Sequence, residues 1–225
     1  MKKIIALVLA LVMICACMTA CGSKDVTVES IQKAGKLVIA TSPDFPPFEY
    51  LDDNGAVAGI EIAIMNLICE NLGVELVIEQ MDFDSVLPGV QAGKFTAGVS
   101  GISVTPAREK NTLFTDPYCL AAQAIVVTSD SAITCKADLD GKTVSVQTGT
   151  TAESFCLENG YTAKSFAANS DAQAALTTGK VDAWVIDDLT AAEMVAAINE
   201  ALNELLADGT VEAIFESYGE AYMKP

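Results

Sequence analysis

The 225-residue chain contains no histidine. That absence removes Ser-His-Asp and Cys-His nucleophile pairs, histidine-ligated zinc and the HExxH metalloproteases. An enzyme made from it must work with carboxylates, Lys, Arg, Tyr or Cys. Positive charge is scarce as well: 13 Lys+Arg stand against 30 Asp+Glu, a formal net charge of −17. Phosphate neutralisation supplies nucleic-acid affinity, so a chain without a basic stripe is not expected to bind nucleic acid. Aromatics make up only 6% of the chain, with a single Trp, yet 51% is apolar. That composition excludes disorder and fits one or two packed domains. No CxxC pair, tandem repeat or low-complexity run is present, and neither a metal nor a cofactor is expected.

Long apolar runs are missing apart from one. Met1-Lys2-Lys3 precedes an apolar stretch from Ile4 to Met18, then small residues Thr19-Ala20 and Cys21-Gly22-Ser23. A run this short with these flanks reads as a signal peptide rather than a membrane span. Cys15, Cys17 and Cys21 are incidental if the signal is an ordinary one. Met18-Thr19-Ala20-Cys21 resembles a bacterial lipoprotein box, which implies that Cys21 is diacylated and becomes the mature N-terminus. Two acyl chains anchor stably, at about 0.8 kcal/mol per buried CH₂. Cleavage before Cys21 leaves 205 residues and a net charge of −19. Cys69, Cys119, Cys135 and Cys156 then allow three disulfide pairings, or stand as isolated thiols.

Beyond a polar tether, strand and helix alternate. Ser30 to Gly35 reads as a short helix, Lys36–Thr41 as a buried strand, and Phe48–Leu51 with Ala56–Ile60 as a hairpin about Asp53-Asn54-Gly55. Glu61–Leu72 has helical spacing, Val74–Gln80 is a strand, Ser85–Ala92 a helix and Phe95–Gly98 a strand. The pattern restarts after Tyr118 with strands Ala121–Thr128 and Lys142–Gln147, helices Ala152–Glu158 and Ala172–Thr178, and strand Val181–Ile186. This order predicts two α/β lobes with parallel sheets. The expected division is 1–20 signal peptide, 21–30 anchor and tether, 31–118 lobe 1, 119–189 lobe 2, and 190–225 C-terminal helices. In the last segment a capping box at Thr190-Ala191-Ala192-Glu193 predicts one helix to Ala207, followed by a short helix over Val211–Tyr218.

Polar residues gather after the strand ends, where open parallel sheets bind ligands. Gly98 to Arg108 ends a strand in Ser and Gly, then offers Thr105 as a cap, Pro106 at the first helical position, and Arg108. Arg108 is either a surface residue or a bidentate grip for a carboxylate. Gln147-Thr148-Gly149-Thr150-Thr151 is either simple capping or an anion-binding turn. Asp187 and Asp188 end a strand as a cap, a solvated pair, or an ammonium partner. Their neighbouring positions point to opposite faces, which argues against paired acid/base catalysis. Phe45, in the Pro-rich loop Thr41–Glu49, and Phe83 suit either the core or a stacked ligand. An Arg, a carboxylate, N–H-rich turns and loop aromatics together suit a zwitterion such as a free amino acid.

Over roughly Ile31 to Asp188 these stretches resemble the bacterial extracellular solute-binding proteins of family 3. The matching runs are Leu37–Glu49, Ala58–Glu61, Met81–Pro88, Gly98–Arg108, Phe114–Tyr118, Asp138–Val144 with Gly149-Thr150-Thr151, and Val181–Asp187. The resemblance implies a two-lobed, type II periplasmic-binding-protein-like α/β fold. It also implies an ABC-importer receptor that delivers a free polar amino acid to a membrane permease and its ATPase. Such a receptor works outside the cytoplasm, held to the membrane by its anchor, and a monomer is expected. Arg108 is then expected on the ligand α-carboxylate with Ser103 and Thr151, and Asp187 on the α-ammonium with Ser100 and Gly101. Phe45 and Phe83 are expected to sandwich the side chain. Ser42 stands where relatives often carry Asp, which argues against a strongly basic ligand. A lyase or dehydratase on the same scaffold, or a receptor no longer competent in transport, are the alternatives. Asp187 and Asp208 are 21 positions apart, roughly thirty fewer than the family pattern implies, so the second hinge crossing is expected to be missing.

Overall fold

The computed structural model describes residues 26–194. The signal peptide, the Cys21 lipid site, the helices beyond Met194 and the second hinge crossing lie outside the described residues. Among the described residues, no helix is long and apolar enough to cross a membrane.

Lobe 1 opens with α1 (Val28–Ala34), capped by Thr27 and closed by Gly35 in the left-handed region. The helix therefore begins inside the segment read as tether, because Thr27 and Ser30 satisfy each other's backbone donors as a capping box. β1 (Lys36–Thr41) pairs in parallel with β5 (Glu75–Gln80) on one side and β6 (Ala97–Gly98) on the other. A small antiparallel sheet of β2 (Asp44–Phe45), β3 (Glu49–Leu51) and β4 (Val57–Ala58) stands beside it. α2 (Ile60–Leu72) buries Ile62, Met65 and Cys69 against Leu37 and Ile39 of β1, forming the lobe's core. α3 (Phe83–Gln91) and the short α4 (Pro106–Glu109) follow β5 and β6.

Lobe 2 is a four-stranded sheet in the order β7-β10-β8-β9, made of Gln123–Val126, Ala183–Asp187, Thr143–Gln147 and Thr162–Phe166. β8 pairs in parallel with β9 and β10, whereas β7 runs antiparallel to β10. α5 (Thr151–Glu158) and α6 (Asn169–Thr177) supply its helices. The hydrophobic pattern did not reveal β9. It is an edge strand whose Thr162, Lys164 and Ser165 face solvent, so it lacks an apolar signature.

One expectation changes. The helix after β10 starts at residue 188 rather than 191, and Asp188 Oδ1 accepts from Leu189 N at 2.9 Å. Thr190 consequently lies inside the helix, with its buried hydroxyl unpartnered, and is no cap. The four cysteines are all free. Cys69 and Cys156 are buried, Cys119 and Cys135 exposed, and burial pushes the Cys156 thiol up to about 11.

Gly59 is the tightest backbone position. It lies at φ +125°, and a Cβ there would stand 2.2 Å from the Phe48 carbonyl oxygen. Gly59→Ala is expected to lower stability by more than the roughly 1–3 kcal/mol that the backbone conformation alone costs. Urea unfolding followed through the buried Trp184 reads this directly.

Candidate functional site

The C-terminal ends of β1, β6, β8 and β10 converge on one cleft between the lobes. Its pocket is lined by all nine residues singled out in the sequence: Ser42, Phe45, Phe83, Ser100, Gly101, Ser103, Arg108, Thr151 and Asp187.

Arg108 reaches the pocket because Thr105 caps α4 and Pro106 starts it. Its guanidinium donates to Ser103 O at 2.8 Å and, across the cleft, to Gly149 O at 3.0 Å. It also lies 5.6 Å above the Phe83 ring, so Phe83 supports the cation as well as lining the pocket. Burial pulls the Arg108 pKa down, and the Asp187 charge opposes that.

Asp187 is buried at the end of β10 and accepts a hydrogen bond from Gln123 Nε2, which also reaches Thr151 Oγ1 at 3.3 Å. Burial raises the Asp187 pKa, Asp188 adds to the rise, and Gln123 and Arg108 restrain it. Thr151 begins α5, whose N-cap Thr150 accepts from Glu153 N, while Glu153 Oε2 holds Gly149 N at 2.7 Å.

Ser100 and Gly101 commit their donors inward. The Ser100 hydroxyl donates to Glu49 Oε1 at 3.0 Å and accepts from Ser42 N, while Gly101 N donates to both Glu61 oxygens at 3.0 and 3.1 Å. An ammonium needs acceptors, so what these residues have left to offer it is carbonyl oxygen. Gly101 has φ +56°, and a Cβ would meet the Phe45 ring at 2.6 Å, so glycine lets that ring close over the loop.

Sequence reasoning missed five polar residues of the site: Asp44, Glu49, Gln123, Gln147 and Asn169. Asp44 is the cross-lobe partner. Its carboxylate accepts from Asn169 N at 2.7 Å, Gln147 Nε2 at 3.2 Å and Ser42 Oγ at 3.1 Å. The serine at position 42 therefore does not leave the pocket short of acid, because it holds a carboxylate two residues along. Gln147 ends β8 and Asn169 starts α6, so the strand-end rule could have found the former.

The pocket thus carries three acids, Asp44, Glu49 and Asp187, against one cation, Arg108. Glu49 is fully buried in contact with Glu61. Burial first, and the Glu61 carboxylate second, push its pKa well above the ordinary value of 4.5.

A family model describing bacterial extracellular solute-binding proteins, family 3, matches residues 37–221. The chain belongs to that family. The arginine-binding extracellular protein ArtP of Bacillus subtilis is 33% identical over 195 residues, covering 85% of this chain and 75% of that protein. Holo ArgBP from T. maritima superposes with a TM-score of 0.74 at 39% identity, covering 77% of this chain and 78% of that one. The ancestral amino-acid-binding protein AncCDT-1, a precursor of cyclohexadienyl dehydratase, gives 0.71 at 30% identity, covering 85% and 99%.

Because Glu49 holds its proton more tightly folded than unfolded, its contribution to stability is fully present below the ordinary value of 4.5 and is lost progressively as pH rises through the folded value. Glu49→Gln is expected to flatten that decline, so the variant melts above the native protein at pH 8 and gains less at pH 5. Thermal unfolding across that range reads the difference.

Proposed function

We propose that the protein is an extracytoplasmic receptor that binds one free amino acid between its lobes. The observation that carries the reading is the pocket's composition: a half-buried guanidinium on one side and a buried carboxylate at the end of β10 opposite. A zwitterion answers both charges. Arg108 takes the α-carboxylate with Ser103 and the first turn of α5, and Asp187 takes the α-ammonium with the Ser100–Gly101 loop. Gln123 positions Asp187 and Thr151 for this. Phe45 and Phe83 flank the side chain. Binding closes the lobes about the crossing at Tyr118–Leu120.

The acid excess selects the side chain. A zwitterion contributes no net charge, so with Arg108 and Asp187 answered, the Asp44 carboxylate and the ionisable Glu49 still line the pocket. A side chain with a cationic end restores the balance, and several relatives carry arginine- or histidine-binding names. We therefore favour a basic amino acid, against the expectation drawn from Ser42. Delivery to an ABC permease and its ATPase, and tethering through a lipidated Cys21, complete the reading. Two relatives are named as arginine-binding proteins of ABC transporters, which supports that partnership.

A lyase reading draws on the buried carboxyl of Glu49 beside the pocket, whose pKa burial raises, and on the likeness to a dehydratase precursor. Binding without turnover separates the two.

Titration calorimetry with L-arginine tests the proposal. Arg108→Ala removes a buried charge-assisted pair and is expected to cost about 2–5 kcal/mol of binding free energy. Unaltered affinity in that variant overturns the assignment of the site.

A further inference from the structure

Glu49 has a property that its place in the pocket wall does not explain. Its Oε1 accepts from Ser100 Oγ, but its Oε2 is buried with no donor facing it. Against it lies the Glu61 carboxylate of α2, which is itself buried and accepts from Gly101 N and from the Tyr118 hydroxyl of the crossing segment. The other titratable groups that bear on Glu49 are Asp44 from β2 and the Tyr118 phenol. Every one of them is an acid.

Two buried carboxylates in contact do not both ionise at neutral pH, and because Glu61 is answered by the Gly101 N–H and the Tyr118 hydroxyl while Glu49 Oε2 has no donor, the proton resides on Glu49. A proton on Glu49 turns its orphan oxygen into a donor toward Glu61, which removes the unsatisfied group. In that state the pocket wall is neutral at Glu49 and offers acceptor lone pairs without a charge. The wall then suits an amide or hydroxyl. A guanidinium is different, because it carries its charge at every relevant pH and has only donors. Facing Glu49, it favours the ionised carboxylate and weakens the hold on the shared proton.

We propose that the Glu49–Glu61 pair sets the charge selectivity of the pocket: with the shared proton retained, a neutral polar side chain is accepted, and a cationic side chain enters with release of that proton to solvent. The pair is thus a specificity element rather than a structural filler. Gly101 and Ser100 transmit it to the ligand backbone site, since each bonds one member of the pair. This inference rests on the reading of the pocket as an amino-acid site.

The test is titration calorimetry of the purified protein with L-arginine and L-glutamine at pH 6 and pH 8, in two buffers of different ionisation enthalpy. Arginine is expected to bind with a buffer-dependent enthalpy equivalent to about one proton released. Its affinity relative to glutamine is expected to rise by up to about tenfold per pH unit while the pair holds its proton. Glutamine is expected to bind with no proton release. In Glu49→Gln the arginine enthalpy loses its buffer dependence and the affinity ratio its pH dependence. If both ligands bind the native protein and arginine releases no proton, the inference fails while the amino-acid site stands. If neither ligand binds a cooperatively folded protein, the underlying reading fails with it. The native measurement decides the matter even if the variant does not fold.

Discussion

Asp44 is where the two lobes hold each other. Its carboxylate belongs to the small sheet of lobe 1, yet it accepts the Asn169 backbone N–H and the Gln147 side chain from lobe 2. Taking a carboxylate out of water is costly unless its oxygens are answered, and here most of the answers come from the opposite lobe. Burial lifts the Asp44 pKa while the Asn169, Ser42 and Gln147 hydrogen bonds draw it down. Arg108 makes the reciprocal crossing, from lobe 1 to the Gly149 carbonyl. Phe45 seals the same seam by packing on the lobe 2 cluster around Trp184. Closure is therefore polar at its edges and aromatic at its centre.

Each charge that lines the pocket is at least half-buried, and each is held by a neighbour supplied by a different element. Gln123 from β7 steadies Asp187 on β10, and Ser42 after β1 steadies Asp44 on β2. The carboxyl pair Glu49–Glu61 ties the binding loop at Ser100–Gly101 to Tyr118, so the site and the crossing between the lobes share one network.

Much of this was legible in the sequence. Strand-then-small-residue endings predicted where the cleft lies, and Thr105-Pro106 with the Gln147–Thr151 turn marked the two helix starts that aim Arg108 and Thr151. Local rules suffice there, because caps and turns are decided within four residues. Glu49 was not legible. In a short strand next to Tyr50 it reads as a solvent-facing acid, and only the arrival of Ser100 and Glu61 from 51 and 12 positions away buries it. Asp44 hides for the same reason, since its partners at 147 and 169 come from the other lobe. Edge strand β9 escaped because exposure leaves its side chains polar. Thr190 misled because a cap motif inside a helix looks like one at its start. Long-range partners decide what local pattern cannot.

On this reading a single pocket between the lobes binds a free amino acid and favours a cationic one. A thermal-shift screen of the purified protein against the twenty amino acids tests it most directly. A ligand present at 100 times its dissociation constant adds roughly 2.7 kcal/mol. The account predicts that arginine and its basic neighbours stabilise the protein most, polar neutral residues less, and aspartate and glutamate not at all. A flat screen from a cooperatively unfolding protein, or strongest stabilisation by an acidic amino acid, contradicts it.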